Sequence, residues 1–408
     1  MKRWNYSADS VIRPVVQPWR RARTWLRYPL LALFAIAGQL IFNQAVATIG
    51  RSQGKPWTVF TAGFDFWPIW VYDQLFVHGH HPGFWYGPGV SNAWPPPHEV
   101  LLAPFGFLSY DGAHIASMVA TALLMVFAVL LWSRDRATVL TSGWSRIAWP
   151  ILLSAPVFAV IWIDQLQAAV GLAGLSLAIW AQRKDKWWLV GIAASVGMIR
   201  LLNAIPILCI LLYVGWRKPR QLAIALGAAA AFMAPLLAVS YLWDHTFVTD
   251  YIAGITAYPF NGPPKAVVHS IGPWGIAVLM LIGCAVALWL VRRDAGKPLD
   301  PGRAALVMGL TTALAPVGGL YPAIFVLPAL IRLGMRPGFS AVPWIAAVAP
   351  WVAIVAVSPW LLGPDPGLTL NFVSVIDYGL LLLAYPLLRI PPEVGRPAAN
   401  ATLASSAA

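Results

Sequence analysis

The chain has 408 residues, 59% of them hydrophobic and only 11% charged, with 22 Trp and a mean hydropathy of +0.69. An ordinary soluble domain is roughly a quarter charged, so this composition excludes a soluble enzyme, a disulfide scaffold and a disordered protein, and makes lipid the solvent of the apolar surface. The 28 basic and 15 acidic residues give a net charge of +13 and a pI near 10.0, a balance that suggests nucleic acid only until the charges are divided between two sides of a membrane.

Residues 1–27 form a basic arm with seven Lys/Arg ahead of any apolar run. The run that follows, 28–50, is too long for a signal-peptide core and lacks a clear cleavage site, so it reads as a retained signal anchor with its amino end inside. Residues 51–111 make a first long outer loop. Within it, 66–77 is aromatic and apolar enough to lie along the membrane surface as a helix starting at Pro68, and 99–108, apolar but too short to cross, dips into the interface. With the stretch at 29–49, spanning segments recur at 112–132, 147–163, 165–182, 220–243, 271–291, 303–319, 340–361 and 368–388, and a shorter one at 321–333. A second outer loop occupies 244–270, and 390–408 is a tail whose last residues are small and polar. Loops this long in a compact protein are usually functional. There is no internal repeat and no soluble module, so 1–408 reads as one polytopic membrane domain.

Threading from the amino end puts the basic clusters at 134–146, 183–186, 217–220, 292–303 and 332–336 on the same side as both termini. Arg51, Lys55 and Lys265 remain opposite, a strong positive-inside pattern. Asp65, Asp73, Glu99, Asp111, Asp164, Asp244, Asp250, Asp365, Asp377 and all seven His fall outside or in the outer half. The titratable chemistry is therefore expected to be extracytoplasmic, in a multi-pass protein of the cell inner (cytoplasmic) membrane with both termini cytoplasmic.

Residues 187–216 lie between two basic clusters that must share a side, so a single crossing is excluded. Each limb of about 14 residues reaches only about 21 Å against a hydrocarbon core of about 30 Å. The segment reads as a hairpin of two short helices broken near Asn203 and Pro206, which brings the all-α architecture to about twelve hydrophobic passes. Arg200 then sits close to the apex, in the outer half of the membrane, where a charge is costly and a functional role is the default reading. The plainer alternative is a structural ion pair with Asp164 or Asp244.

Asp65, in Gly63-Phe64-Asp65-Phe66-Trp67, is the acidic residue that stands out. Aromatic rings at the membrane surface partly desolvate it and raise its basicity, which suits a general base; an N-terminal helix cap is a compatible role. Asp73 lies about 80° further round a helix and either shares that cavity or belongs to the solvated face, the latter being favoured. His78, His80 and His81, with Asp73 and His98, have ligand-type chemistry, but their spacing matches no zinc signature and a polar loop explains them better. No metal site and no cofactor is expected. Lys265 and His269, beside the turn at 261–264, can join Arg200 in contacting a lipid phosphate or can be a solvated loop. Gln165 and Gln167, next to Asp164 at a sharp outer turn, can hydrogen-bond a sugar or satisfy the turn. Cys209 and Cys284 lie in apolar stretches and read as packing residues. No phosphate-binding loop, dinucleotide fingerprint or nucleophile elbow is present.

Taken in order, these features resemble the polyprenyl-phosphate-sugar-dependent glycosyltransferases of family 87, within the C-type glycosyltransferase superfamily. The residues that carry the resemblance are Asp65-Phe66, a Gly-containing turn at Gly79 to Tyr86, Trp94-Pro95-Pro96 with Pro104, the turn Asp164-Gln165-Leu166-Gln167, and a Gly-rich helix from Gly191 to Arg200 followed by Pro206. They cover about 60–240. The family usually shows Gly-Gln with a later Asn at the turn, and Lys where this chain has Arg200, a change that keeps the charge but alters phosphate geometry.

The resemblance implies an inverting, mannosyltransferase-like transfer of a mannose-like or arabinose-like sugar from a polyprenyl-phosphate donor to a glycan or glycolipid acceptor on the outer face. It places the donor phosphate near Arg200 and makes Asp65 the catalytic base; from the residues themselves, Lys265 and His269 are further candidates for the phosphate, and Asp73, Trp94, His98, Asp164, Gln165 and Gln167 for sugar or acceptor. The implied partners are donor, acceptor and membrane lipids, without nucleic acid. Two competing readings remain: a transporter or lipid flippase, which would show repeats and a path to both faces, and a non-catalytic assembly partner.

Overall fold

A computed structural model describes residues 67–79, 96–133, 150–152, 154–162, 164–257, 270–272, 274–314, 321–336, 339, 341–345, 347 and 385. Every element among them is helical. The first anchor, the stretch at 368–388 apart from Tyr385, most of 340–361 and the tail 390–408 fall outside these residues.

Helix α1 (Trp67–Val77) and α2 (Pro96–Leu102), the latter continued by a 3₁₀ turn at Ala103–Phe107, precede α3 (Tyr110–Ser133). Helices α1 and α2 fall within the sequence range expected of the first long loop. Next come α4 (Ala155–Trp162), α5 (Leu166–Arg183), α6 (Trp187–Gly197), a 3₁₀ turn at Met198–Arg200, α7 (Leu201–Gly215), α8 (Pro219–Trp243) and α9 (Phe247–Ala257). The described fold closes with α10 (Trp274–Val291), α11 (Pro301–Leu310) and α12 (Leu327–Gly334). Four stretches are long and apolar enough to cross a bilayer: Tyr110–Ser133, Trp187–Gly215, Pro219–Trp243 and Trp274–Asp294. The described residues are those of a helical membrane protein.

The second of those stretches is a hairpin. A Cβ on Gly215 would lie 3.0 Å from the Trp187 ring, and Lys218 Nζ bonds Asp185 Oδ1 at 3.0 Å, so its two ends meet. A straight helix of 29 residues would hold them roughly 43 Å apart. The limbs α6 and α7 reach about 16 and 22 Å, too short to cross separately. The expected position of the break needs correction. The chain leaves the helical region at Arg200 (φ −109°, ψ 69°), while Asn203 and Pro206 lie inside α7. Pro206 stands early in that helix and forfeits one backbone bond without ending it. The reversal comes instead where Gly197 packs on Leu175, since a Cβ on Gly197 would lie 2.6 Å from a Leu175 methyl.

Helix α5 is the central rod, buried along nearly its whole length. On one side α3 is tied to it by Trp132 Nε1 donating to Ser176 Oγ at 2.8 Å. On another side α6 packs so closely that a Cβ on Gly174 would fall 2.7 Å from the Gly197 nitrogen. Small residues permit such backbone approach, which matters in lipid because apolar burial alone drives no helix association there.

The basic clusters among the described residues gather at one end of this bundle. Asp185, with φ 56°, ends α5 in a Schellman pattern, its N–H bonding Gln182 O while Lys186 N–H bonds Ala181 O. Its carboxylate accepts from Lys218 and from Trp187 Nε1, and these bonds hold it below the usual carboxylate range. Gln182 bridges to Lys297 O (3.1 Å) and Leu299 N (2.9 Å), Arg303 pairs with Asp294 at 2.9 Å, and Arg332 Nη1 reaches Trp132 O at 3.5 Å.

The second long loop, expected to be irregular, contains a helix, α9. Asp244 Oδ1 accepts from Thr246 N at 2.9 Å and from Thr246 Oγ1 at 2.8 Å, a capping arrangement just ahead of the buried Phe247.

Candidate active site

Among the described residues, Asp164 and Gln165 meet Arg200 at the opposite end of α5. The turn from α4 into α5 closes with Gln165 N–H bonding Val160 O at 2.9 Å, and Asp164 takes the left-handed position with φ 56°. Glycine normally fills that position, because a side chain there costs roughly 1–2 kcal/mol, and such strain concentrates at functional sites.

The Asp164 side chain is fully buried and clamped. Ser117 Oγ donates to Oδ1 at 2.6 Å, and His114 Nδ1, the donor against a carboxylate, lies 2.9 Å from Oδ2. Burial pushes the Asp164 carboxyl above the usual range while these two hydrogen bonds pull it back. His114 in turn stacks on Tyr110 (centroids 5.9 Å apart), and Tyr110 meets Trp70 of α1 edge to face at 5.5 Å.

The clamped turn presents Gln165. Arg200 Nη2 donates to Gln165 Oε1 at 2.7 Å, and the arginine is only 7% exposed. Its stem lies across Gly171, where a Cβ would come within 2.8 Å of Arg200 Cγ. The Asp164 carboxylate is thus engaged by α3, and the guanidinium donates to a neutral amide beside it.

Gln167, Gly171 and Gly174 share one face of α5 at helical spacing, the face that meets Arg200 and Gly197. Gln167 is fully buried, and neither its amide nitrogen nor its amide oxygen has a hydrogen-bond partner among the described residues. Leaving a buried amide unbonded costs about 1–3 kcal/mol per group, so a native protein that keeps one invites a functional explanation.

The remaining expected residues fall as follows. Asp73 is buried, which corrects the solvated-face reading. Its helix packs on the 3₁₀ turn so tightly that a Cβ on Gly106 would collide with the Asp73 carbonyl, and Gln74 Nε2 donates to Gly106 O. His98 is buried too, with Nε2 2.8 Å from Ser195 O, fastening α2 to α6. His78 is exposed and pairs with Gln74 Oε1 at 3.2 Å. Cys209 and Cys284 are free thiols on α7 and α10, two helices that pack together. Asp65, Trp94, Lys265 and His269 lie outside the described residues, as do His80 and His81. Sequence reasoning gave no role to His114 or Ser117. Their spacing of three at the head of a span was the available signal.

A buried arginine and a buried amide without a hydrogen-bond partner among the described residues thus lie together at the end of α5 away from Asp185 and Lys218. The sequence pattern of glycosyltransferase family 87 matches residues 93–316, more than half of the chain, and spans both the 164–167 turn and Arg200. The protein belongs to glycosyltransferase family 87. No curated protein and no solved structure gives a match.

Proposed function

We propose that the protein is an inverting glycosyltransferase of the C-type fold, with about twelve hydrophobic passes. It moves a mannose-like or arabinose-like sugar from a polyprenyl-phosphate donor to a glycan or glycolipid on the extracytoplasmic face of the inner membrane. The observation that carries this reading is the buried Arg200, hydrogen-bonded by Gln165, with the buried amide of Gln167, which has no hydrogen-bond partner among the described residues, on the same face of α5 as Gly171. A lipid-linked sugar arriving sideways from the bilayer offers what both groups need: a phosphate for the guanidinium, and hydroxyls that both donate to and accept from the amide.

In this reading Lys265 and His269 join Arg200 at the phosphate, and Trp94, Gln165, Gln167 and the neighbouring Asp73 and His98 shape the sugar or acceptor region. Asp65 removes the proton of the acceptor hydroxyl as its oxygen attacks the anomeric carbon from the face opposite the phosphate. Polyprenyl phosphate leaves as an anion, so one carboxylate suffices for a single displacement. The crowding of buried polar groups at one end supports transfer over transport, which would need a path to both faces. Asp65→Asn should reduce sugar transfer by about 100-fold or more, within the range general-base removal gives. Near-wild-type turnover by a folded variant would overturn the base assignment.

A further inference from the structure

We infer that His114 is a positioning residue for Arg200, acting through Asp164 and the turn that carries Gln165. This inference rests on the reading of Arg200 as the donor-phosphate group. The turn from α4 to α5 is held in a strained left-handed geometry at Asp164, and the only carboxylate in it is gripped from α3 by His114 at 2.9 Å and Ser117 at 2.6 Å. The next residue, Gln165, supplies the 2.7 Å hydrogen bond to the guanidinium. Releasing the carboxylate frees the turn to relax toward ordinary backbone, and Gln165 moves with it because its own N–H is part of the same closure, bonded to Val160 O. Tyr110 stacks on the imidazole and Trp70 abuts Tyr110, so the clamp also ties the turn to α1, which starts two residues after Asp65. His114 therefore holds the turn that positions the phosphate-binding arginine, and ties that turn to α1.

The test is equilibrium binding of a long-chain polyprenyl monophosphate to the full chain in lipid nanodiscs, with kcat and donor KM measured beside it. Arg200→Ala should weaken binding by roughly 10- to 100-fold, the worth of hydrogen bonds to a charged group. His114→Leu should weaken it by about 5-fold or more, a typical coupling between sites, and should raise donor KM while kcat at saturating donor stays within about 2-fold. His114→Asn, whose amide nitrogen can replace Nδ1 as donor to Asp164, should restore binding to within about 2-fold. Asp164→Gly keeps the left-handed turn at no steric cost yet loses the carboxylate, so it should behave like His114→Leu. It also supplies the test if His114→Leu fails to fold. In the double variant His114→Leu with Arg200→Ala, the His114 effect should vanish, because its only route is through Arg200.

Unchanged binding in folded His114→Leu or Asp164→Gly, with Arg200→Ala still impaired, overturns the positioning role and leaves the phosphate reading standing. Additive losses in the double variant, or a fall in kcat without a change in KM, also overturn it. Unchanged binding in Arg200→Ala overturns the phosphate reading itself.

Discussion

Gly171 and Arg200 leave no room between them: a Cβ on Gly171 would sit 2.8 Å from Arg200 Cγ and 3.0 Å from its Cβ. Both atoms belong to the rigid root of the side chain, so relief has to come from the 3₁₀ turn that carries the arginine. Gly171→Ala should therefore lower transfer by about 10-fold or more, in keeping with the sensitivity of positioned groups to displacements near 1 Å. The loss should show in donor KM, with far-UV circular dichroism unchanged. Wild-type kinetics in Gly171→Ala would mean that the site tolerates movement of Arg200.

Gln167 should separate stability from activity. Its buried amide, without a hydrogen-bond partner among the described residues, is a standing cost that an apolar residue of similar size removes. Gln167→Leu is expected to raise the thermal midpoint of the ligand-free protein, by the equivalent of about 1 kcal/mol, while lowering transfer at least 10-fold. A variant that is both less stable and fully active would show that the amide serves packing alone.

The hairpin makes a topological prediction. Asp185 and Lys218 flank it and touch at 3.0 Å, so cysteines placed singly at either position, with Cys209 and Cys284 replaced by Ala, should react with an impermeant maleimide from the same side of the membrane. Labelling from opposite sides is what one continuous crossing over 187–215 would produce.

At the basic end, Asp294 and Arg303 form a pair at 2.9 Å with side chains only 5% and 11% exposed. Removing one partner of such a pair strands the other charge, a cost of about 3–5 kcal/mol when fully buried and less with this residual exposure. Arg303→Leu should lower the thermal midpoint by several degrees, and adding Asp294→Asn should recover part of the loss. Because the pair stands at the end away from Arg200, donor KM should not change in either variant.

Charge sorting and helix length made the hairpin at 187–216 legible in advance, because both follow from the chain's own composition and the thickness of a bilayer. The place of its break was not, since Gly197 meeting Leu175 is a contact between helices rather than a local preference. The same limit hid the burial of Asp73, which depends on the backbone of Gly106 folding back upon it. It hid His114 as well: the bond to Asp164 spans 50 residues, and no local pattern pairs them. Gln165, Gln167 and Arg200 were recognisable individually, from their place at a turn and inside a membrane segment. Their meeting at one point was a matter of tertiary structure.

The central claim, that Arg200 holds the phosphate of a lipid-linked sugar donor, is tested most directly by sugar transfer with the purified chain in nanodiscs and a membrane glycolipid extract as acceptor. Polyprenyl-phosphate mannose and polyprenyl-phosphate arabinose would be compared with the corresponding nucleotide sugars, for wild type and for Arg200→Ala. Transfer is expected from a polyprenyl-phosphate donor and not from nucleotide sugars, with kcat/KM for that donor falling roughly 10- to 100-fold in Arg200→Ala. Equal transfer from a nucleotide sugar, or an unchanged kcat/KM in folded Arg200→Ala, would contradict it.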